Sequence, residues 1–256
     1  MDQCDHFAEV GQRRANMLFR APASFAVSAL LGGAYIGIAL ILALTVSAGL
    51  PAGVRPLVSG GVFGLGLLLV MVAGADLFTG TILYVVFALA RKKLSLRRGL
   101  ALLASVWIGN LVGAAILAWI FSTGGGGIVF SAPPPFLHDY IGHKVQADPA
   151  MLVARASLCN WLVCLAIWMF ARLRTEVAQI LAMAWCLLAF VACGFEHSVA
   201  NMTLFTLGML DPTPLLDPAQ AGYNLFWVTI GNVIGGGVFV AVVYLVLAKG
   251  EARAAA

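Results

Sequence analysis

Six long tracts, 21–54, 56–90, 99–137, 156–171, 177–210 and 219–248, carry no charged residue or a single one, and they constrain this chain more than any other feature. A helix crosses the hydrocarbon of a bilayer with about 20 residues. The polar segments between the tracts are too short to build the surface of a soluble domain. With 10% charged residues, against roughly 25% in a soluble protein, a water-soluble fold is excluded. The tracts predict an all-α integral membrane protein of six transmembrane helices. Arg13, Arg14 and Arg20 precede a first tract far longer than a signal-peptide core, so that tract reads as a span. The expected organisation is an N-terminal segment 1–20, a six-helix transmembrane domain 21–248 and a tail 249–256.

Six crossings bring both ends to one side. Of the 15 Lys and Arg residues, only Arg55, Lys144 and Arg155 then fall on the opposite side. This asymmetry predicts that both termini are cytoplasmic. The net charge of +4 is accordingly an orientation signal and a contact for lipid headgroups, with no nucleic-acid partner implied. The longest connection, 121–149, is broken by Gly124 to Gly127 and Pro133 to Pro135 and reads as a surface loop, with Lys144 an ordinary loop charge.

The second and fifth tracts are too long for one straight span, and each holds one acid near its middle, Asp76 and Glu196. Both are expected to be interrupted helices. Gly74-Ala75-Asp76 recurs as Gly194-Phe195-Glu196, and Gly109-Asn110-Leu111-Val112-Gly113 as Gly231-Asn232-Val233-Ile234-Gly235, at offsets of 120 and 122 residues. The halves, about 21–121 and 150–248, are therefore repeats. With three spans each, the second copy enters the membrane inverted.

An ionised acid facing lipid is costly, so Asp76 and Glu196 must point into protein or water. The plainer role for each is to cap the free amides of a helix break. Thr79 and Ser198 are candidate N-caps of half-helices 80–90 and 199–210, whose positive ends would meet and favour a small anion. His197 sits at that meeting point, with Asn201 on the same helical face and Leu77 as its counterpart in the first repeat. Phe63, Leu67, Leu77, Phe78 and Phe190 flank the breaks as core residues or as apolar constrictions. The four-residue glycine spacings at Gly33/Gly37, Gly60/Gly64, Gly109/Gly113 and Gly231/Gly235 permit close helix packing, with Asn110 and Asn232 as interhelical donors. Cys159, Cys164, Cys186 and Cys193 read as small core residues, and no cofactor or metal-ligand spacing is present. The chain contains neither HExxH nor Gly-x-Ser-x-Gly, and neighbouring Glu196 and His197 diverge on a helix, which disfavours an intramembrane enzyme using them as an acid/base pair.

The segments Gly74-Ala75-Asp76-Leu77-Phe78-Thr79-Gly80, 160–169 and 194–202 closely resemble the formate/nitrite transporter family, and the resemblance covers nearly the whole chain. Segment 160–169 and Phe78-Thr79-Gly80 are most similar to its nitrite-transporting branch. The resemblance implies an aquaporin-like fold, a homopentamer with a pore in every protomer, and a bacterial inner membrane. It further implies a central pair of His197 with Thr79, constrictions at Phe63, Leu67, Leu77, Phe78 and Phe190, a polar lining of Asn160 and Asn201, and a vestibule lysine at Lys144. Asp76 stands where the family more often has Glu. The implied substrate is nitrite, with formate or hydrosulfide as alternatives. The histidine would supply a proton or a strong hydrogen bond, so that flux rises as pH falls.

Overall fold

The computed structural model describes residues 3–131, 136–211 and 216–254, and the regular structure among them is helical throughout. An amphipathic helix α1 (Gln3–Arg20) precedes α2 (Pro22–Ser47) and α3 (Arg55–Gly74), which is followed after a three-residue gap by α4 (Phe78–Ala90). The first half ends with α5 (Leu96–Thr123). Two short helices, α6 (Gly127–Ser131) and α7 (Phe136–Val145), lead to α8 (Pro149–Arg172), α9 (Glu176–Ala192), α10 (Ser198–Leu210) and α11 (Pro218–Ala254). Five helices, α2, α3, α5, α8 and α11, are long and apolar enough to cross a membrane. The fifth tract is divided between α9 and α10.

The breaks fall where the two acids predicted them, and the backbone makes both in the same way. Gly74 and Gly194 take left-handed φ values of +91° and +68°, a region that glycine enters without steric penalty. The next amide then reaches back five residues, from Ala75 to the Val70 carbonyl and from Phe195 to the Phe190 carbonyl, at 3.0 Å in both cases. This is the Schellman closure that ends a helix. The last six residues of α3 are wound as a π-helix, a local unwinding that often accompanies functional sites.

Two expectations are corrected here. The residues preceding α4 and α10 in N-cap position are Leu77 and His197, not Thr79 and Ser198, which lie inside the first turns. The register is nonetheless that of the repeat, since Leu77 and His197 are the residues it pairs. The connection 121–149 is not a plain loop, because α6 and α7 form within it. Pro133 to Pro135 lie outside the described residues.

Glycine lets the inverted halves pack in matching fashion. A Cβ on Gly33 or Gly113 would run into the carbonyls of Asn110 and Leu30 where α2 crosses α5, and one on Gly235 would meet the Ser157 carbonyl where α8 crosses α11. Between α3 and α9, a Cβ on Gly60 would lie 2.7 Å from the Leu188 carbonyl. Such close backbone approach is the usual basis of helix association in lipid, where apolar burial drives little. Cys159, Cys164 and Cys186 are buried as expected, whereas Cys193 is exposed.

Candidate permeation site

The backbone at each break is held by one asparagine from the neighbouring helix. Asn110 of α5 accepts from the Phe78 amide at 2.8 Å and donates to the carbonyls of Ala29 and Asp76 at 2.7 and 2.8 Å. Asn232 of α11 accepts from the Ser198 amide at 3.0 Å and donates to the carbonyls of Ala156 and Glu196 at 2.9 and 3.0 Å. Both side chains are completely buried. Unpaired backbone groups are costly at this depth, so these residues complete the breaks. From the sequence alone both read as interhelical packing donors. Their identity in both copies of the Gly-Asn-x-x-Gly repeat was the signal for a shared backbone role.

The acids, relieved of capping, hold cations brought from outside the spans. Asp76 lies 3.1 Å from Nε of Arg14 on α1. Glu196 accepts from Nζ of Lys144 on α7 through both oxygens, at 3.0 and 2.9 Å. Asn201 donates to the same carboxylate at 2.7 Å and to Oδ1 of Asn224 at 2.9 Å, and Asn224 donates to the Lys144 carbonyl at 2.9 Å. A closed polar ring thus fastens α7 to α10 and α11. Burial pushes the Lys144 ammonium down, but the adjacent Glu196 carboxylate outweighs this and holds it above the usual lysine range. Lys144 is therefore no ordinary loop charge. A buried acid implies a compensating cation, although that rule does not say which basic residue supplies it.

The N-termini of α4 and α10 meet. Nε2 of His197 lies 3.2 Å from Oγ1 of Thr79, and its Nδ1 accepts from the Ala200 amide at 3.2 Å, which makes the imidazole the N-cap of α10. Because Nδ1 is engaged as an acceptor, the ring hydrogen belongs on Nε2, which donates to Thr79. The Thr79 hydroxyl hydrogen is then free to turn to a third partner. Leu77 offers no acceptor, so beyond the Phe78 amide held by Asn110 the first turn of α4 has no cap from its N-cap residue, and its remaining amides keep their positive field. Asn160 is completely buried and donates to the carbonyls of Asn232 and Thr79 at 2.7 and 3.3 Å, bracing this junction from α8.

A cavity of about 500 Å³ opens between the 48–54 connection and α7 and descends to Phe63, Phe190 and His197. Phe63 and Phe190 meet edge to face, ring centres 5.5 Å apart, and Phe190 stacks on His197 at 5.9 Å. Lys144, Glu196, Asn201 and the exposed Cys193 also line the cavity. Leu67 and Leu77 are buried. Phe78 turns elsewhere, into an apolar groove between α5 and α11 beside Trp107 and Leu225. The structure thus gathers Phe63, Phe190, His197, Asn201 and Lys144 around one cavity, while Thr79, Leu67, Leu77, Asn160 and Phe78 lie outside its lining.

Inverted halves, interrupted helices that meet tip to tip, and a cavity leading to that meeting point define a membrane transport protein. The formate/nitrite transporter family model matches residues 2–246. The chain is 41% identical over 245 residues to the nitrite transporter NirC of Escherichia coli (strain K12), covering 95% of this chain and 90% of that protein. A solved FNT family ion channel superposes with a TM-score of 0.92 at 40% identity, covering 96% of this chain and 98% of the other. A pentameric formate channel with formate bound superposes with a TM-score of 0.75 at 28% identity, covering 88% and 96%. The chain belongs to the formate/nitrite transporter family, with its aquaporin-like arrangement of six spans.

Proposed function

We propose that this protein passes nitrite, a small monovalent anion, across a bacterial inner membrane together with a proton, as a homopentamer whose protomers each contain a pore. Both termini are assigned to the cytoplasm, so that the cavity opens on the far side, and 21–248 forms the conducting domain between the terminal segments. The observation that carries this reading is the His197–Thr79 pair, set where two helix N-termini meet directly behind the Phe63–Phe190 contact.

Transferring a bare anion past apolar rings forfeits much of its hydration. Two helix ends, each equivalent to about half a positive charge, recover only part of it. A low dielectric favours the uncharged form of any acid, so the solute takes up a proton from the water of the cavity before it passes Phe63 and Phe190. At the centre it receives a hydrogen bond from the Thr79 hydroxyl, whose oxygen is held by the Nε2–H of His197. The amide of Asn201 belongs to the polar approach, Asn160 steadies the Thr79 carbonyl, Leu67 and Leu77 form the remaining apolar boundary without Phe78, which faces the groove between α5 and α11, and Asp76 and Glu196 anchor the breaks.

Catalysis by Glu196 and His197 is disfavoured by their different engagements, the carboxylate with Lys144 and Asn201, the imidazole with Thr79 and Ala200. Formate is the second candidate solute, favoured by the likeness to a formate-bound channel. Proteoliposome uptake of nitrite, measured at two pH values with formate and hydrosulfide as competitors, tests the assignment. Faster nitrite uptake at the lower pH supports it, and pH-independent uptake or full displacement by a competitor contradicts it.

A further inference from the structure

The 12 basic residues assigned to the termini side are not matched by their number on the other side, where only Arg55, Lys144 and Arg155 remain. All three line the 500 Å³ cavity, against one lining carboxylate among the described residues, Glu196. That cavity therefore carries excess positive charge. Lys144 does not provide it, because its ammonium is bonded to both Glu196 oxygens at 2.9 and 3.0 Å. Its charge is spent within the protein.

Arg155 differs. Among the described residues, no carboxylate forms an ion pair with its guanidinium. Its position is set by the break, since the Glu196 amide donates to its carbonyl at 3.4 Å. In the first repeat the Asp76 amide donates likewise, at 3.1 Å, to the carbonyl of Ser28. Ser28 and Arg155 are thus equivalent positions, and the inverted symmetry is broken there by a cation on the cavity side and a hydroxyl on the other. A guanidinium on a half-buried residue of a concave wall has its field focused along the cavity and screened less than a surface charge.

We infer that Arg155 is the anion-capturing residue of this vestibule, a binding site for the incoming monovalent anion that precedes the Phe63–Phe190 constriction, while Lys144 is a positioning residue for Glu196 and Asn201. The inference rests on the proposed anion transport and adds where the solute is first held. Full-length protein in proteoliposomes is assayed for initial nitrite uptake against nitrite concentration, at low and at high salt, for wild type, Arg155→Gln and Arg155→Lys. Arg155→Gln raises the half-saturating nitrite concentration about 3- to 10-fold at low salt and leaves the maximal rate unchanged. At about 1 M salt, where screening acts over about 3 Å, the difference shrinks below about twofold. Arg155→Lys stays near wild type. Arg155→Met keeps the packing stem and replaces Arg155→Gln if the latter misfolds, with the same split expected. An unchanged half-saturation, a fall confined to the maximal rate, or a salt-independent effect overturns the inference. Wild-type vesicles that take up no nitrite overturn the anion-transport reading itself.

Discussion

Replacing His197 by asparagine separates two roles that the imidazole combines. Nδ1 caps α10 by accepting from the Ala200 amide at 3.2 Å, while Nε2 reaches Thr79 at 3.2 Å. Asparagine is among the best N-cap residues, so His197→Asn retains an acceptor for Ala200 but is too short to reach Thr79. His197→Phe keeps a ring to stack on Phe190 and loses both bonds. Loss of an N-cap costs about 1 kcal/mol, and loss of a neutral hydrogen bond costs about as much again. His197→Phe is therefore expected to be destabilised by about 2 kcal/mol and His197→Asn by about 1. Thermal unfolding of the purified proteins in one detergent ranks them, with His197→Phe lowest. Nitrite uptake should not follow that ranking, because both variants lack the Nε2–H donor and both should lose proton-linked flux. Wild-type flux in His197→Asn would refute the donor role. A His197→Phe protein as stable as His197→Asn would refute the cap.

Asn232→Leu leaves the Ser198 amide and the Glu196 carbonyl without their partner, at about 1–3 kcal/mol for each buried group. Asn110→Leu should cost a similar amount at the other break, and unfolding measurements that show either to be neutral would contradict their shared role. Lys144→Met strands a carboxylate that is only 2% exposed, and loss of one partner of a buried pair costs about 3–5 kcal/mol. Adding Glu196→Gln should restore much of this, a recovery that a thermal double-mutant cycle detects; strict additivity would argue against the pair. Phe63→Ala and Phe190→Ala open the edge-to-face contact, so an osmotic-swelling assay should find larger solutes passing, and unchanged size exclusion would remove these rings from the constriction.

The spans and both breaks could be read from the sequence because lipid enforces a simple rule, apolar residues in unbroken runs, and each exception then marks a site. Asp76 and Glu196 were such exceptions, and the repeat that joined them also placed Leu77 opposite His197, as their matching N-cap positions now display. The partners of the acids were not legible in that way. A carboxylate in a span demands a cation or several donors, but pattern alone does not say that one would come from Arg14, on a helix preceding the first span, and the other from Lys144, on a helix formed within the long connection. Both pairings depend on how extramembrane segments fold back, which follows from tertiary packing and not from periodicity. The capping expectation failed for a related reason. Asn110 and Asn232 each supply both a donor and an acceptor to the break, whereas a carboxylate accepts only. A break exposes carbonyls as well as amides, so an amide side chain satisfies it more completely. That substitution releases the two carboxylates to bind cations, and it ties α1 to the first break and α7 to the second. The same chain therefore keeps near-perfect symmetry in the backbone of its two breaks while differing where solute and solvent meet it, with a histidine against a leucine at the N-caps and an arginine against a serine beside the acids.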